Sequence, residues 1–574
     1  MDVEEFRKAG YAAIDQICDY YNTLPERNVK AEVEPGYLVK QLPMAWPNAS
    51  QKKRFQKPRT DMWPTGLLSS WVVDPGDAHG PVGEADASLS LPSLLVFPPR
   101  LPFALSLTAP PRHVPVEIAA DFQSKIIPGI THWQHGKFFG YFPGIVTFES
   151  ILGDMYSSSV TNPGFNWTCS PACTELEQVV MDWMAQILGL DSDFLTSSGH
   201  GGGTIGNSAS ECALTATIAA RERALRTIAR QSNGYSDADS LTPIDVPTAI
   251  RQEHTKKLVM YGSTQTHSLG VKAGVILGMP FRSLPVHVED GYALRGDTLK
   301  KAIEEDIAKG LTPFMVIGTV GTTSSGAVDY IAELGEVVKQ YPTMFMHVDA
   351  AWAGIAFALP EQRERLRLAE VNKYADSFCT NAHKWGLVGF DCSLFFVRDR
   401  RDLTEALDVT PAFLRTKEGD AGTVIDYRNW QLSLGRRFRS IKLWFVLRSY
   451  GVEGLQKHLR SGVNLCGELA KHIEQTPNFE IVTPPSLGLL SFRLVNDGER
   501  ASDEELNKLN ADLNNRLAHH PEVMLTQTLL KTPESEIFCI RFAIGGRTTT
   551  LDDVKHVFSV VEAEGKAALS AWKA

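Results

Sequence analysis

Cysteine is scarce in this chain, positive charge is in deficit, and no apolar run is long. Eight cysteines among 574 residues are too few for a disulfide framework. Cys169 and Cys173 stand four apart without a His or Cys cluster around them, so buried thiols are expected there and no metal site. A formal charge of -10 leaves no basic surface for nucleic acid or anionic lipid. No segment reaches the roughly 20 apolar residues that span a bilayer, and MDVEEFRKAG lacks the basic-then-apolar layout of a secretory leader. The expectation is a cytoplasmic protein with neither nucleic acid nor membrane as partner.

What is present is ordinary globular material, 43% hydrophobic and 22% charged, long enough for a large core and a smaller second domain. Residues 4 to 22 place Phe6, Gly10, Ala13, Ile17 and Tyr20 at helical spacing. An amphipathic helix so placed must dock on the body or on a second subunit. Residues 48 to 116 differ from the rest: about a third of the 32 prolines fall there, with neither helical nor strand periodicity. They read either as an irregular surface excursion or as a non-coding stretch carried into the gene model.

From about 150 to 400, helical stretches alternate with the strand-like runs KLVMYG, PFMVIGTV, MFMHVDA, SFCTNAH and SLFFVRD. That alternation predicts an α/β fold around a mainly parallel sheet covered on both faces. Beyond 450, the runs FEIVT, GLLSFRLV and IFCIRFAI between helices predict a compact α+β domain. The expected boundaries are 1–47 (continuing at 117–150) for an N-terminal helical segment, 48–116 for the insertion, 151–450 for the large domain and 451–574 for the small one.

Three features carry chemistry. GHGGGTIGNSASECAL, residues 199 to 214, is a glycine-rich turn that opens a helix at Ser208 to Ser210. Free N–H groups at a helix start suit a phosphate, although such turns are often only turns. MFMHVDAAWAG ends an apolar strand at Asp349, where a carboxylate can keep a pyridinium nitrogen protonated or simply cap the next helix. DSFCTNAHKWG sets Lys384 after another strand, between His383 and Trp385. An enclosed lysine loses proton affinity and becomes an amine fit for a Schiff base, whereas a surface lysine would snorkel. Cradle, carboxylate and lysine in that order are the three handles that pyridoxal 5′-phosphate (PLP) needs. His267, in QTHS after KLVMYG, is placed to stack on its ring, unless it is structural.

These residues resemble the group II PLP decarboxylases, within them the aromatic-L-amino-acid decarboxylase and aromatic acetaldehyde synthase branch. The likeness rests on VEPGYL, PGITHW, FFGYFP, SPACTELE, HVDAAWAG, NAHKWG, FDCS and WQLSLGRRFRSIKLWFVLRSYGV. It implies the fold type I architecture with a seven-stranded sheet and a homodimer with sites at the interface. It further implies Lys384 as the Schiff-base residue, Asp349 on the pyridine nitrogen, and Ala209, Ser210, Ser377 and Asn381 on the phosphate. Ala351 would pack beside the ring; His267, supported by Thr323, would stack on it; His383 joins them as a catalytic candidate. Trp133, Tyr141, Phe142, Pro143 and, from the neighbouring subunit, Phe165 would line the substrate pocket, with Arg541 also in reach of substrate. The implied reaction removes the α-carboxylate of tyrosine, dopa, tryptophan or phenylalanine and gives the amine.

One position departs from the family's pattern. A mobile loop there usually presents a tyrosine that helps to return a proton, and an ungapped alignment places Phe413 at that point. Phenylalanine has no proton to give, which opens an alternative outcome, oxidative deamination to an aromatic acetaldehyde with ammonia and hydrogen peroxide. Two other readings stand beside these. An aminotransferase would require an exposed arginine such as Arg541 for the α-carboxylate, and an inactive product would follow if residues 48–116 obstruct the fold.

Overall fold

The computed structural model describes residues 3–30, 115–233, 246–496 and 501–573. The insertion expected at 48–116 lies outside them except for Pro115 and Val116, which open a short helix, Pro115–Asp121. The chain divides into two compact units, residues 1–14 with 33–129 and residues 15–32 with 130–574. In the first, the described residues are helical. The predicted N-terminal helix runs Val3–Thr23 and crosses the boundary between the units.

The second unit holds two sheets. In the larger one, β1 (Gly202–Gly206), β2 (Leu258–Ser263), β3 (Phe281–Leu284), β4 (Thr312–Thr319), β5 (Phe345–Asp349), β6 (Ser377–Asn381) and β7 (Ser393–Val397) lie in the order β1-β7-β6-β5-β4-β2-β3. All pairings from β3 through to β6 are parallel. β7 runs against both of its neighbours, β6 and β1. The fold is therefore the expected α/β type with a mainly parallel sheet. β4, β5 and β6 are buried along nearly their whole length, because helices cover both faces and no residue has a wet side to face. One face packs under the helix Pro171–Leu188, through Val180, Met181, Met184 and Leu188. The other packs under Ala209–Asn233, whose Ala213, Ala216, Ala220 and Ala224 let it lie close.

Two strands of this larger sheet escaped the sequence reading, as did Thr526–Lys531 of the smaller one. β1 lies inside the glycine-rich segment expected to be only a turn, and β3 is four residues long. Glycine is required in β1 by proximity: a Cβ on Gly203 would stand 2.8 Å from the Phe396 ring and 2.5 Å from Met181. The smaller sheet is antiparallel, in the order β10-β11-β9-β8, from β8 (Phe479–Ser486), β9 (Leu489–Leu494), β10 (Thr526–Lys531) and β11 (Glu536–Ala543). The helices Asp503–His519 and Leu551–Lys573 cover it through Leu509, Leu513, Val557 and Phe558. No described helix is long and apolar enough to cross a membrane, and no described group of His, Cys, Asp and Glu is placed to hold a metal ion. Of the two thiols expected to be buried, Cys173 is, but Cys169 is exposed. It precedes the cap Ser170 and lies outside the helix that buries Cys173.

Candidate active site

Parallel strands that end together present their last residues to one another. Thr319, Asp349 and Asn381 close β4, β5 and β6, and the register pairs Thr319 with Asp349 and Asp349 with Cys379. All three end residues line one cavity of about 250 Å³ at the carboxyl edge of the sheet, where ligands of such sheets bind.

Asp349 is 3% exposed. Its Oδ1 accepts the Ala351 amide at 2.9 Å, and the Cys379 thiol donates to the same oxygen at 3.8 Å. Burial holds that thiol protonated, well above the usual thiol range, so it acts as donor and not as a rival anion. Lys384 is the third residue of a one-turn helix, Ala382–Trp385. Its ammonium lies 5.3 Å from the centre of the Phe142 ring. Burial pulls its proton affinity below the ordinary lysine value, and the Asp349 charge opposes this. The amine is thus readier to be a nucleophile than a surface lysine.

Two imidazoles face the cavity. The His383 Nδ1 accepts the Cys392 amide at 2.9 Å, and burial, helped by Lys384, pushes its pKa down to about 4. The His267 Nδ1 accepts the Leu269 amide at 3.2 Å. His267 stays open on the surface, yet its partial enclosure still lowers its pKa. Each ring is neutral at pH 7, with Nδ1 engaged and its proton on Nε2.

The cradle is built at the start of the helix Ala209–Asn233. The Ser208 Oγ and carbonyl take the amides of Glu211 and Cys212 at 3.3 and 3.0 Å. That leaves the first-turn amides of Ala209 and Ser210, both residues of the cavity wall, for a ligand. The Asn381 Oδ1 accepts from the Ser393 hydroxyl at 2.7 Å, which leaves its NH₂ as the free end. Among the described residues, the Thr319 Oγ1 is buried without a hydrogen-bond partner. Two fully buried groups brace the strand leading to the cradle: Arg436 Nη1 reaches Glu177 Oε2 at 3.0 Å, and its Nη2 reaches Thr204 Oγ1 at 2.8 Å.

Phe142, Ala209, Ser210, His267, Thr323, Asp349, Ala351, Asn381, His383 and Lys384, all singled out in the sequence, line this cavity together. Ser377 does not. It opens β6 while Asn381 closes it, about 13 Å away at 3.3 Å per residue, and its hydroxyl is 2.8 Å from His347 Nδ1. A hydroxyl at the wrong end of a strand cannot hold a phosphate at the other. Arg541 is not the exposed arginine that an aminotransferase reading requires. It is 3% exposed, lies 4.9 Å from the Phe142 ring centre, and donates to Thr526 Oγ1 and the Tyr141 carbonyl at 3.1 and 3.3 Å.

Trp133 and Tyr141 stack at 5.6 Å but are 40% and 52% exposed, and Trp133 borders a second cavity, of about 320 Å³. Pro143 is buried beside them. Phe165 and Phe413 do not line the first cavity, and Phe413 is 82% exposed. Sequence reasoning passed over Thr319, Leu269, Gly321 and Trp352, which do. The signal for Thr319 was available: it ends a strand beside Asp349. Trp352 stood in DAAWAG and stacks on Phe142 at 4.5 Å.

A carboxylate, a low-affinity lysine amine, an orphaned hydroxyl and free helix-start amides around one cavity fit PLP handle for handle. The site thereby defines a PLP enzyme. The family described as pyridoxal-dependent decarboxylase conserved domain matches residues 105–495. Phenylacetaldehyde synthase of Arabidopsis thaliana is 36% identical over 98% of this chain and 96% of its own. Aromatic-L-amino-acid decarboxylase of Rattus norvegicus is 37% identical over 96% and 95%. The crystal structure of Oryza sativa TDC with PLP and tryptamine superposes with a TM-score of 0.79 at 29% identity, covering 99% of each chain. The chain belongs to the pyridoxal-dependent decarboxylase family.

Proposed function

We propose that the chain decarboxylates an aromatic L-amino acid and releases the amine and carbon dioxide. The carrying observation is the convergence of Asp349, Lys384 and the Ala209 and Ser210 amides on one cavity. Lys384 would hold the coenzyme's aldehyde carbon, and Asp349 would keep a proton on the pyridine nitrogen. Ala209, Ser210, Asn381 and the Nε2–H of His383 would hold the phosphate. Ala351 would pack beside the ring, and His267, with Thr323 beside it, would stack on it. When bound, PLP supplies the sink for the electron pair left as the carboxylate departs.

His267, open to solvent, would return a proton to the α-carbon after taking one up from water, so that the ring ends neutral. Phe142 would wall the cavity against water, and Trp133, Tyr141 and Pro143 would extend an apolar surface for the substrate ring. Phe165 from a second copy would complete that surface, in a homodimer working in the cytoplasm. Similarity to an aromatic-L-amino-acid decarboxylase over nearly the whole chain supports the substrate class.

Phe413 favours a second product. With no hydroxyl at that point, dioxygen can intercept the carbon before it is protonated. The amino acid, dioxygen and water then give aldehyde, carbon dioxide, ammonia and hydrogen peroxide, one of each. A phenylacetaldehyde synthase stands among the relatives. Incubation with tryptophan, tyrosine, phenylalanine and dopa in turn, measuring carbon dioxide, amine, aldehyde and peroxide together, tests both readings. Carbon dioxide from none of the four removes the function; peroxide equal to carbon dioxide with no amine replaces the first product by the second.

A further inference from the structure

Lys384 sits on a helix of a single turn, closed by the Gly386 amide on the Ala382 carbonyl at 2.8 Å. One turn of helix has no stability of its own, because nucleation costs more than one hydrogen bond returns. Something outside it must fix its rotation, and with it the direction in which the lysine leaves. The neighbouring Trp385 is 1% exposed, and its Nε1 is buried without a hydrogen-bond partner among the described residues, so packing alone holds the indole.

That packing is unusual in composition. The indole meets three glycines from the C-terminal part of the chain: Gly462 in the helix Ser440–Glu474, Gly488 between β8 and β9, and Gly545 just after β11. A Cβ on Gly462 would stand 2.8 Å from the ring atom Cζ2 and one on Gly545 3.3 Å from Cδ1; one on Gly488 would meet Cζ2 at an ordinary 3.5 Å but the Ile544 carbonyl oxygen at 2.2 Å. On its other side Trp385 stacks on Trp352 at 5.7 Å and 18°, and Trp352 stacks in turn on the cavity residue Phe142. The residue next to the lysine is thus clamped between a glycine socket and an aromatic pile that ends at the site.

We propose that Trp385 is the positioning residue of Lys384, and that the socket of Gly462, Gly488 and Gly545 lets the C-terminal part of the chain set how the lysine is presented to the coenzyme. This rests on Lys384 holding the coenzyme. Filling the socket should turn the one-turn helix without touching any group in the cavity.

The test is a cycle of Gly462→Ala, Trp385→Phe and the double variant, each as the PLP-loaded full chain. Alanine is the better helix former at a mid-helix position, so lost fold is not the expected result. Gly462→Ala should lower the coenzyme's induced circular dichroism about twofold or more and speed its release on dialysis about tenfold, with far-ultraviolet dichroism unchanged. In the double variant the smaller ring accommodates the new methyl, and both readouts should return toward wild type. Unchanged dichroism and release in Gly462→Ala, or a double variant that loses as much as the two single variants combined, overturns the inference. Should Gly462→Ala fail to fold, Gly545→Ala, with its milder 3.3 Å approach, takes its place in the same cycle and is read the same way. Lys384→Ala separates the two layers: a visible band that survives it refutes the lysine assignment, whereas a band lost there but indifferent to the socket refutes only the role of Trp385.

Discussion

The wall that faces the coenzyme and the rim expected to face the substrate are made of different material. The wall is strand ends: Thr319, Asp349 and Asn381 are held by a parallel sheet buried on both faces, with the lysine one turn further on. The rim lies outside the sheet: Trp133, Tyr141 and Phe413 are large aromatics, 40%, 52% and 82% exposed. Large aromatic side chains left exposed together mark a surface that meets something else. The wall residues named above all come from one chain, and in the proposed dimer the rim would be half of a structure. On that reading chemistry would belong to the first and choice of substrate and product to the second.

The comparison can be broken at the wall first. Lys384→Ala should abolish the visible absorbance of the bound coenzyme and reduce carbon dioxide release to background, and turnover surviving in that variant would sink the assignment. Asp349→Asn keeps the shape but removes the charge, and carbon dioxide release should fall about 10²- to 10³-fold with the coenzyme still bound.

A rim substitution should act otherwise. Phe413→Tyr should leave the absorbance alone while the share of aldehyde and peroxide drops about tenfold or more in favour of amine; an unchanged product ratio removes position 413 from the chemistry. The smallest effect concerns the sheet behind the wall. His347 is fully buried, with its pKa pushed down to about 4 by burial, so it folds neutral. Its contribution is complete above the unfolded value near 6.5 and is lost as pH falls toward 4. Between pH 7 and 5 the loss of unfolding free energy should be about 2 kcal/mol smaller in His347→Gln than in wild type. Comparing the two slopes cancels Asp329 and Asp402, whose pKa values burial lifts to about 7 and which act in the opposite sense. Equal slopes in urea titrations would disprove it.

The wall was legible in the sequence because its residues follow apolar runs, and a strand that is hydrophobic throughout has one place to go. PFMVIGT, FMHVD and SFCTN each announce a buried parallel strand and so the edge at which its last residue appears. Ser377 misled for the same reason: it belongs to the right strand, but direction along the strand, not membership, decides which edge a side chain reaches. β1 was hidden because its glycines were read as a turn, whereas Gly203 serves close approach to Phe396 and Met181. The Glu177–Arg436 brace and the seating of Trp385 join residues 259 positions apart or depend on missing side chains, and no local pattern reports either. The rim was legible only by resemblance, since exposed aromatics in loops carry no periodicity.

The two imidazoles have a further consequence. With a backbone amide occupying Nδ1 of both His267 and His383, each neutral ring presents only its Nε2–H to the cavity, where it can donate a hydrogen bond but not accept one. Neither ring, in that state, can act as a base toward a ligand. In the proposed reaction the hydrogen that an incoming ammonium group sheds would therefore leave by another door, and Lys384, once the substrate has displaced it, would take it up and, with its depressed basicity, pass it on.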